Sequence, residues 1–143
     1  MAYDPNNIFA KILRGEVPSH RVYEDDDTVA ILDVMPQSDG HTLIIPKAAA
    51  ESLFDLDVGV AEAVMRTGQR LALAVRQAFH PDGVTLMQFN GAEAGQTVFH
   101  FHLHVIPRYA GQPLRSHGRG FADPAVLAEQ AMRLKAALDS LEP

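Results

Sequence analysis

The chain contains no cysteine in its 143 residues. Disulfides, thiolate-bound zinc and a cysteine nucleophile are therefore excluded, and a reducing compartment is the simplest home. Positive charge is also scarce, because 12 basic against 18 acidic side chains leave a net charge of −6. Such a balance disfavours sequence-independent binding to DNA, RNA or an anionic membrane, so neither nucleic acid nor membrane is expected as a partner. No run approaches the roughly 18 apolar residues of a membrane span, and Met1-Ala2-Tyr3-Asp4-Pro5 lacks the basic and apolar segments of a secretory leader. A soluble, cytoplasmic protein is the resulting expectation. What is present is ordinary: 47% hydrophobic and 21% charged residues, in a length that suits one domain over residues 1–143.

Periodicity orders that domain. After Asp4-Pro5-Asn6-Asn7, whose side chains suit a helix cap, Ile8, Phe9, Ile12 and Leu13 recur at helical spacing until Gly15. Residues 20–24 and 29–32 flank Asp25-Asp26-Asp27 and read as a hairpin around a solvated acidic turn. His41-Thr42-Leu43-Ile44-Ile45 is a third strand, ended by Pro46. Val60, Val64, Leu71, Val75 and Phe79 predict a long helix over 58–79, stopped by Pro81-Asp82-Gly83 and slightly weakened by Gly68. Strands over 84–90 and 97–108 follow. Asp123-Pro124 then opens a last helix striped by Leu127, Ala131, Leu134, Leu138 and Leu141. The expected architecture is α+β: a five-stranded antiparallel sheet with a short N-terminal helix, one long central helix and a C-terminal helix.

The segment Phe99-His100-Phe101-His102-Leu103-His104-Val105-Ile106 is the most informative. Composition alone predicts only about 0.02 copies of His-x-His-x-His in a chain with these seven histidines. On an extended strand His100, His102 and His104 would share one face and the intervening apolar residues the other. Neighbouring rings would lie roughly 6.5–7 Å apart at Cα, close enough to line one substrate in distinct roles. Imidazole suits that task, since a pKa of about 6.5 lets one ring be a neutral nucleophile while another donates a proton.

Other readings of the same residues stand beside this one. Strand histidines can be half-buried residues with satisfied hydrogen bonds, and a His-x-His pair can ligate zinc with His41 or a carboxylate as third ligand. A metal-binding or interaction module without catalysis is a further alternative. It leaves unexplained the approach to the histidines, Asn90-Gly91-Ala92-Glu93-Ala94-Gly95-Gln96-Thr97, which reads as a phosphate cradle of glycine backbone and neutral donors.

His100-Phe101-His102-Leu103-His104-Val105-Ile106 resembles the signature of the histidine triad (HIT) superfamily, His-φ-His-φ-His-φ-φ with φ apolar, at every position. The likeness extends to Asn7-Ile8-Phe9 with Lys11-Ile12, Val22-Tyr23-Glu24-Asp25, Ala30-Ile31-Leu32-Asp33, the run from Gly40 to Lys47, and Gly95-Gln96-Thr97-Val98, over a core of about residues 6–109. It implies a HIT-like fold and a nucleotidyl hydrolase acting at the α-phosphate of a purine nucleotide derivative. A nucleoside phosphoramidate or dinucleoside polyphosphate, containing AMP or GMP, is the implied substrate. His102 would form a covalent nucleotidyl-histidine, His104 would contact the phosphate and serve the leaving group, and His100 and His41 would form a supporting relay. Asn90, Gly95, Gln96 and Thr97 fall where the family contacts phosphate or leaving group, and Asp33 where it binds the ribose hydroxyls. Ile8, Phe9, Ile12, Val17 and Ile31 match its base pocket.

The resemblance also implies a homodimer and requires no cofactor. Some bacterial members hold a structural zinc partly through cysteines near the first helix, but those places here are Asn7 and Ala10, and a further histidine position is Ala49. No metal is therefore expected. Members that transfer nucleotides to sugars replace the third histidine with glutamine, so His104 points to hydrolysis. A nucleotide-binding signalling module with incidental hydrolysis is the alternative from another class. The basic stretch 108–119, with Arg115 and His117, is placed to reach a second phosphate or to be a solvated loop.

Overall fold

A computed structural model describes residues 2–116 and 120–141. Its strands are β1 (Arg21–Glu24), β2 (Thr28–Leu32), β3 (Thr42–Pro46), β4 (Gly83–Met87) and β5 (Leu103–Arg108), and its helices are α1 (Ile8–Leu13), α2 (Val58–Phe79) and α3 (Pro124–Ser140). The strands form one antiparallel sheet in the order β1-β2-β3-β5-β4. Five strands and three helices in an α+β arrangement agree with the sequence expectation. No helix among the described residues is long and apolar enough to cross a membrane.

Both faces of the central strands are covered, which explains why β2 and β3 read as continuous apolar runs and are buried at every position. Alternation divides them. Ala30, Leu32 and Ile44 pack with Leu71 and Val75 of α2 and Leu134 and Leu138 of α3 on one face. Val29, Ile31, Leu43 and Ile45 meet Phe9 and Ile12 of α1 on the other. The sheet thus separates a thick two-helix layer from a thin one, and the thin one carries the site.

Capping fixes the helix ends. Asn7 accepts from the Ala10 N–H, Asp57 from Gly59 and Asp123 from Ala125, each satisfying a donor in the first turn. Gly68 has a use that periodicity hides, since a Cβ there would meet Leu103 Cδ2 at 2.9 Å. The helix accepts a residue worth about 1 kcal/mol less than alanine in return for closer seating on β5.

Two local expectations need correction. The fifth strand begins at Leu103 rather than at residue 97, because residues 98–100 bend and the Phe101 N–H bonds Ala50 O instead of a neighbouring strand. The acidic turn is more than solvated: Asp25 is half-buried and accepts from the Asp27 and Thr28 N–H groups, the Thr28 hydroxyl and the Tyr23 hydroxyl. One carboxylate therefore closes the β1–β2 hairpin.

Leu71 of α2 is fully enclosed in the larger core. Leu71→Ala should lower unfolding stability by about 2–5 kcal/mol, read as a lower urea midpoint at unchanged slope.

Candidate functional site

The sheet register decides which way each histidine points. His104 of β5 stands opposite Leu43 of β3, and cross-strand partners share a face, so His104 lies on the α1 side with Leu43. Leu103 and Val105 point into the two-helix layer. His41, just before β3, is wholly buried, as is His100 at 1% exposure, while His102 and His104 each retain 7%. The rings of His102 and His104 are 5.0 Å apart, and Phe9 of α1 meets His102 edge-on at 4.8 Å.

Backbone groups fix the tautomers. An amide N–H can only donate, and that of Gln37 lies 3.0 Å from His41 Nδ1, so Nδ1 carries a lone pair and the ring proton sits on Nε2. That Nε2–H points at His104 Nδ1, 2.9 Å away, with Asp33 Oδ2 at 3.5 Å from the same nitrogen. The neutral His104 ring therefore carries its proton on Nε2. For His102 the sense is reversed: Nδ1 is 2.7 Å from the His100 carbonyl, which can only accept, so Nδ1 holds the proton and Nε2 the lone pair. At Nε2, one ring therefore presents a lone pair and its neighbour a proton.

Asp33, His41 and His104 also bring a carboxylate oxygen and two ring nitrogens within 4.8 Å, a set that a cation could use. The Gln37 amide argues against that use, because it holds the proton on the His41 nitrogen that would have to face the ion.

His102 and His104 line a cavity of about 450 Å³ together with Ile8, Phe9, Ile12, Val17, Ile31, Asp33 and Thr97, all of them expected site residues. His41 and His100 do not line it. The expectation that three rings share one wall is corrected here: the bends at 98–100 turn the His100 ring away, and its Nε2–H bonds Pro46 O at 2.8 Å. The glycine-rich loop is braced on itself rather than open to a ligand. Gly91 and Gly95 take positive φ of 94° and 104° around the one-turn helix Ala92–Ala94, and the Gly95 and Gln96 N–H groups bond Ala92 O and Gly91 O. The Gln96 amide nitrogen bonds Glu51 O and Val98 O, and Asn90 is tied to Leu53 N–H and Gln88. Asn90, Gly95 and Gln96 therefore stand outside the cavity lining, and Thr97 is the loop's contribution to it.

The sequence reading missed Pro18, Ser19, Leu32, Val34, Met35, Leu43, Val98 and Phe121, which complete the wall. Phe121, 78% exposed, sits where the Ala122 N–H bonds Val34 O. A lone aromatic so far from the histidines carries no pattern that points to them. Arg115 bonds Pro36 O and Asp39 rather than the cavity, while His117 and Arg119 lie outside the described residues.

Residues 14–111 match the family model described as HIT domain. The chain belongs to the HIT domain family. It superposes on a Hit-like protein involved in cell-cycle regulation from Bartonella henselae with a TM-score of 0.89 at 48% identity, covering 95% of this chain and 99% of that one. A hypothetical histidine triad nucleotide-binding protein from Sulfolobus tokodaii superposes with a TM-score of 0.84 at 30% identity, covering 92% and 91%. The adenylylsulfatase HINT3 of Arabidopsis thaliana is 40% identical over 116 residues, 77% of this chain and 59% of that protein. The sheet and helices described above are thus a HIT fold, in a family of nucleotide-binding proteins and hydrolases.

Burial holds the His100 ring below the ordinary histidine value of 6.5, with its bond to the Pro46 carbonyl acting the other way. The unfolded ring takes up a proton as pH falls through about 6.5 while the folded one resists it, so this group costs the HIT domain stability on the acid side. Its share should be absent above pH ~7 and grow by at most about 1.4 kcal/mol per pH unit below ~6.5. Urea midpoints across that range should fall more steeply for the wild type than for His100→Gln.

Proposed function

We propose that this HIT domain hydrolyses the α-phosphate linkage of a purine nucleoside phosphoramidate or dinucleoside polyphosphate through a nucleotide bound covalently to His102. The observation that carries the reading is the opposed proton arrangement of His102 and His104 on one cavity wall. His102 Nε2 attacks the α-phosphorus as the bond to the leaving oxygen or nitrogen breaks, and the His104 Nε2 proton passes to that leaving atom. Water then attacks the phosphorus, His104 accepts its proton, and the P–N bond to His102 breaks to release a nucleoside monophosphate.

His41 stands behind His104, and its Nε2–H keeps the lone pair of His104 at Nδ1, so it positions the ring without touching substrate. Asp33 and Thr97 on the cavity wall suit the ribose hydroxyls and the phosphate, and the apolar side built from Ile8, Phe9, Ile12, Val17 and Ile31 suits a purine. The adenylylsulfatase name of the Arabidopsis relative supports the same chemistry, attack at a nucleotide phosphorus with loss of an acidic group.

His102→Ala should abolish turnover of an adenosine phosphoramidate while AMP still binds, and intact-protein mass spectra of the wild type after rapid acid quench should show a nucleotidyl adduct that the variant lacks. His104→Ala should slow poor leaving groups far more than good ones. Wild-type turnover by His102→Ala, or equal slowing across leaving groups, would remove the respective role.

A homodimer is the accompanying proposal. The outer edge of β4 is one of the two open ends of the sheet, and Leu86 on it and Met65 of α2 are apolar and exposed. Sedimentation should give twice the chain mass at micromolar concentration, and Leu86→Lys should shift it to the monomer.

A further inference from the structure

The carbonyl that orients His102 belongs to a segment without sheet support. Residues 98–100 bend between the self-braced loop and the first residue of β5, and the backbone tie nearest to them is the Phe101 N–H to Ala50 O at 2.8 Å. The Gln96 amide holds Val98 O, and the His100 side chain supplies further anchorage. Its Nε2–H is spent on the Pro46 carbonyl at the end of β3, which leaves Nδ1 as an acceptor. The Tyr3 hydroxyl lies 2.5 Å from that nitrogen, and the two rings meet edge-on with centroids 5.6 Å apart. Since Nδ1 accepts, the phenol donates.

Tyr3 is not on a loose tail. Asp4 O receives the Asn7 N–H and the Asn7 side-chain amide, the Asn6 N–H bonds the Asp4 carboxylate, and Pro5 O accepts from Arg14 at 2.8 Å. These bonds splice residues 4–7, directly after Tyr3, onto α1, whose Phe9 already packs on the His102 ring. A chain of contacts therefore runs from the phenol through the His100 ring to the His100 carbonyl and on to His102 Nδ1. Its two hydrogen bonds have fixed donors, and the covalent frame of His100 joins them.

We infer that Tyr3 is a positioning residue for the nucleophile: its hydroxyl clamps His100 against Pro46 so that the His100 carbonyl holds His102 in the tautomer with its lone pair on Nε2. The inference rests on the hydrolase reading for its kinetic consequence but not for its structural one. Tyr3 does not line the cavity, so loss of its hydroxyl reaches the site through the bond to His100.

Tyr3→Phe keeps the ring and deletes the donor. In the full-length protein kcat for an adenosine phosphoramidate should fall roughly three- to tenfold, the scale of one hydrogen bond, with KM within about twofold of the wild type. Long-range 1H–15N spectra of the imidazoles should show His102 as a single Nδ1–H tautomer in the wild type and as a mixture in Tyr3→Phe. A wild-type kcat, an unmixed His102 tautomer in the variant, or a loss that appears in KM alone would each overturn the assignment. A wild type with no turnover of any nucleotide tested would sink the hydrolase reading instead, and the His102 tautomer would then decide the role of Tyr3 on its own.

Discussion

Imidazole is ambiguous, because either nitrogen can give or take a proton, and a cluster of histidines has many arrangements of nearly equal energy. Here two backbone groups remove the ambiguity. The Gln37 amide can only give and the His100 carbonyl can only accept, and from those two facts the proton positions on His41, His104 and His102 follow in sequence. The loop before β3 and the bends before β5 are thus as much part of the site as the rings. Were residues 98–100 paired in the sheet, their carbonyl would belong to a ladder and His102 would lose the partner that sets its tautomer.

That constraint also explains where the sequence was legible. The long period over α2, the apolar runs of β2 and β3, and the Asp123-Pro124 start of α3 are local signals with local causes, and the structure repeats them within a residue or two. The alternating apolar residues of 99–106 imitate a strand just as well, yet only Leu103 onward is one. Phe101 is buried not by pleating but because its backbone is drawn to Ala50, a partner about fifty residues earlier. Asn90 and Gln96 have the chemistry of ligand donors, and nothing in their spacing tells that their amides are consumed by Leu53, Glu51 and Val98. Tyr3 meets the His100 ring and Phe121 joins the cavity wall from opposite sides of the sequence, and such long-range approaches leave no periodic trace.

The site sits on the thinner side of the sheet. Its supporting core is Phe9, Ile12, Val29, Ile31, Leu43 and Ile45, whereas α2 and α3 bury a far larger set on the opposite face. Phe9 belongs to both structures at once, filling that small core and fixing the His102 ring edge-on. Stability and reactivity are therefore coupled through α1: any change that loosens its docking releases the ring it steadies.

The same economy governs the electrostatics. An apolar cavity beside two nearly buried imidazoles keeps water from competing for their hydrogen bonds, and in such surroundings a fixed donor stabilises developing phosphate charge more strongly than it would in water. The penalty is that a charged imidazole is costly there, so a proton accepted by one ring has to leave by another route. Behind His104 stand the buried His41 ring and the Asp33 carboxylate, which also faces the cavity. The members of this site are placed by backbone hydrogen bonds, from the Gln37 amide and to the His100 carbonyl, and not by exposed ion pairs.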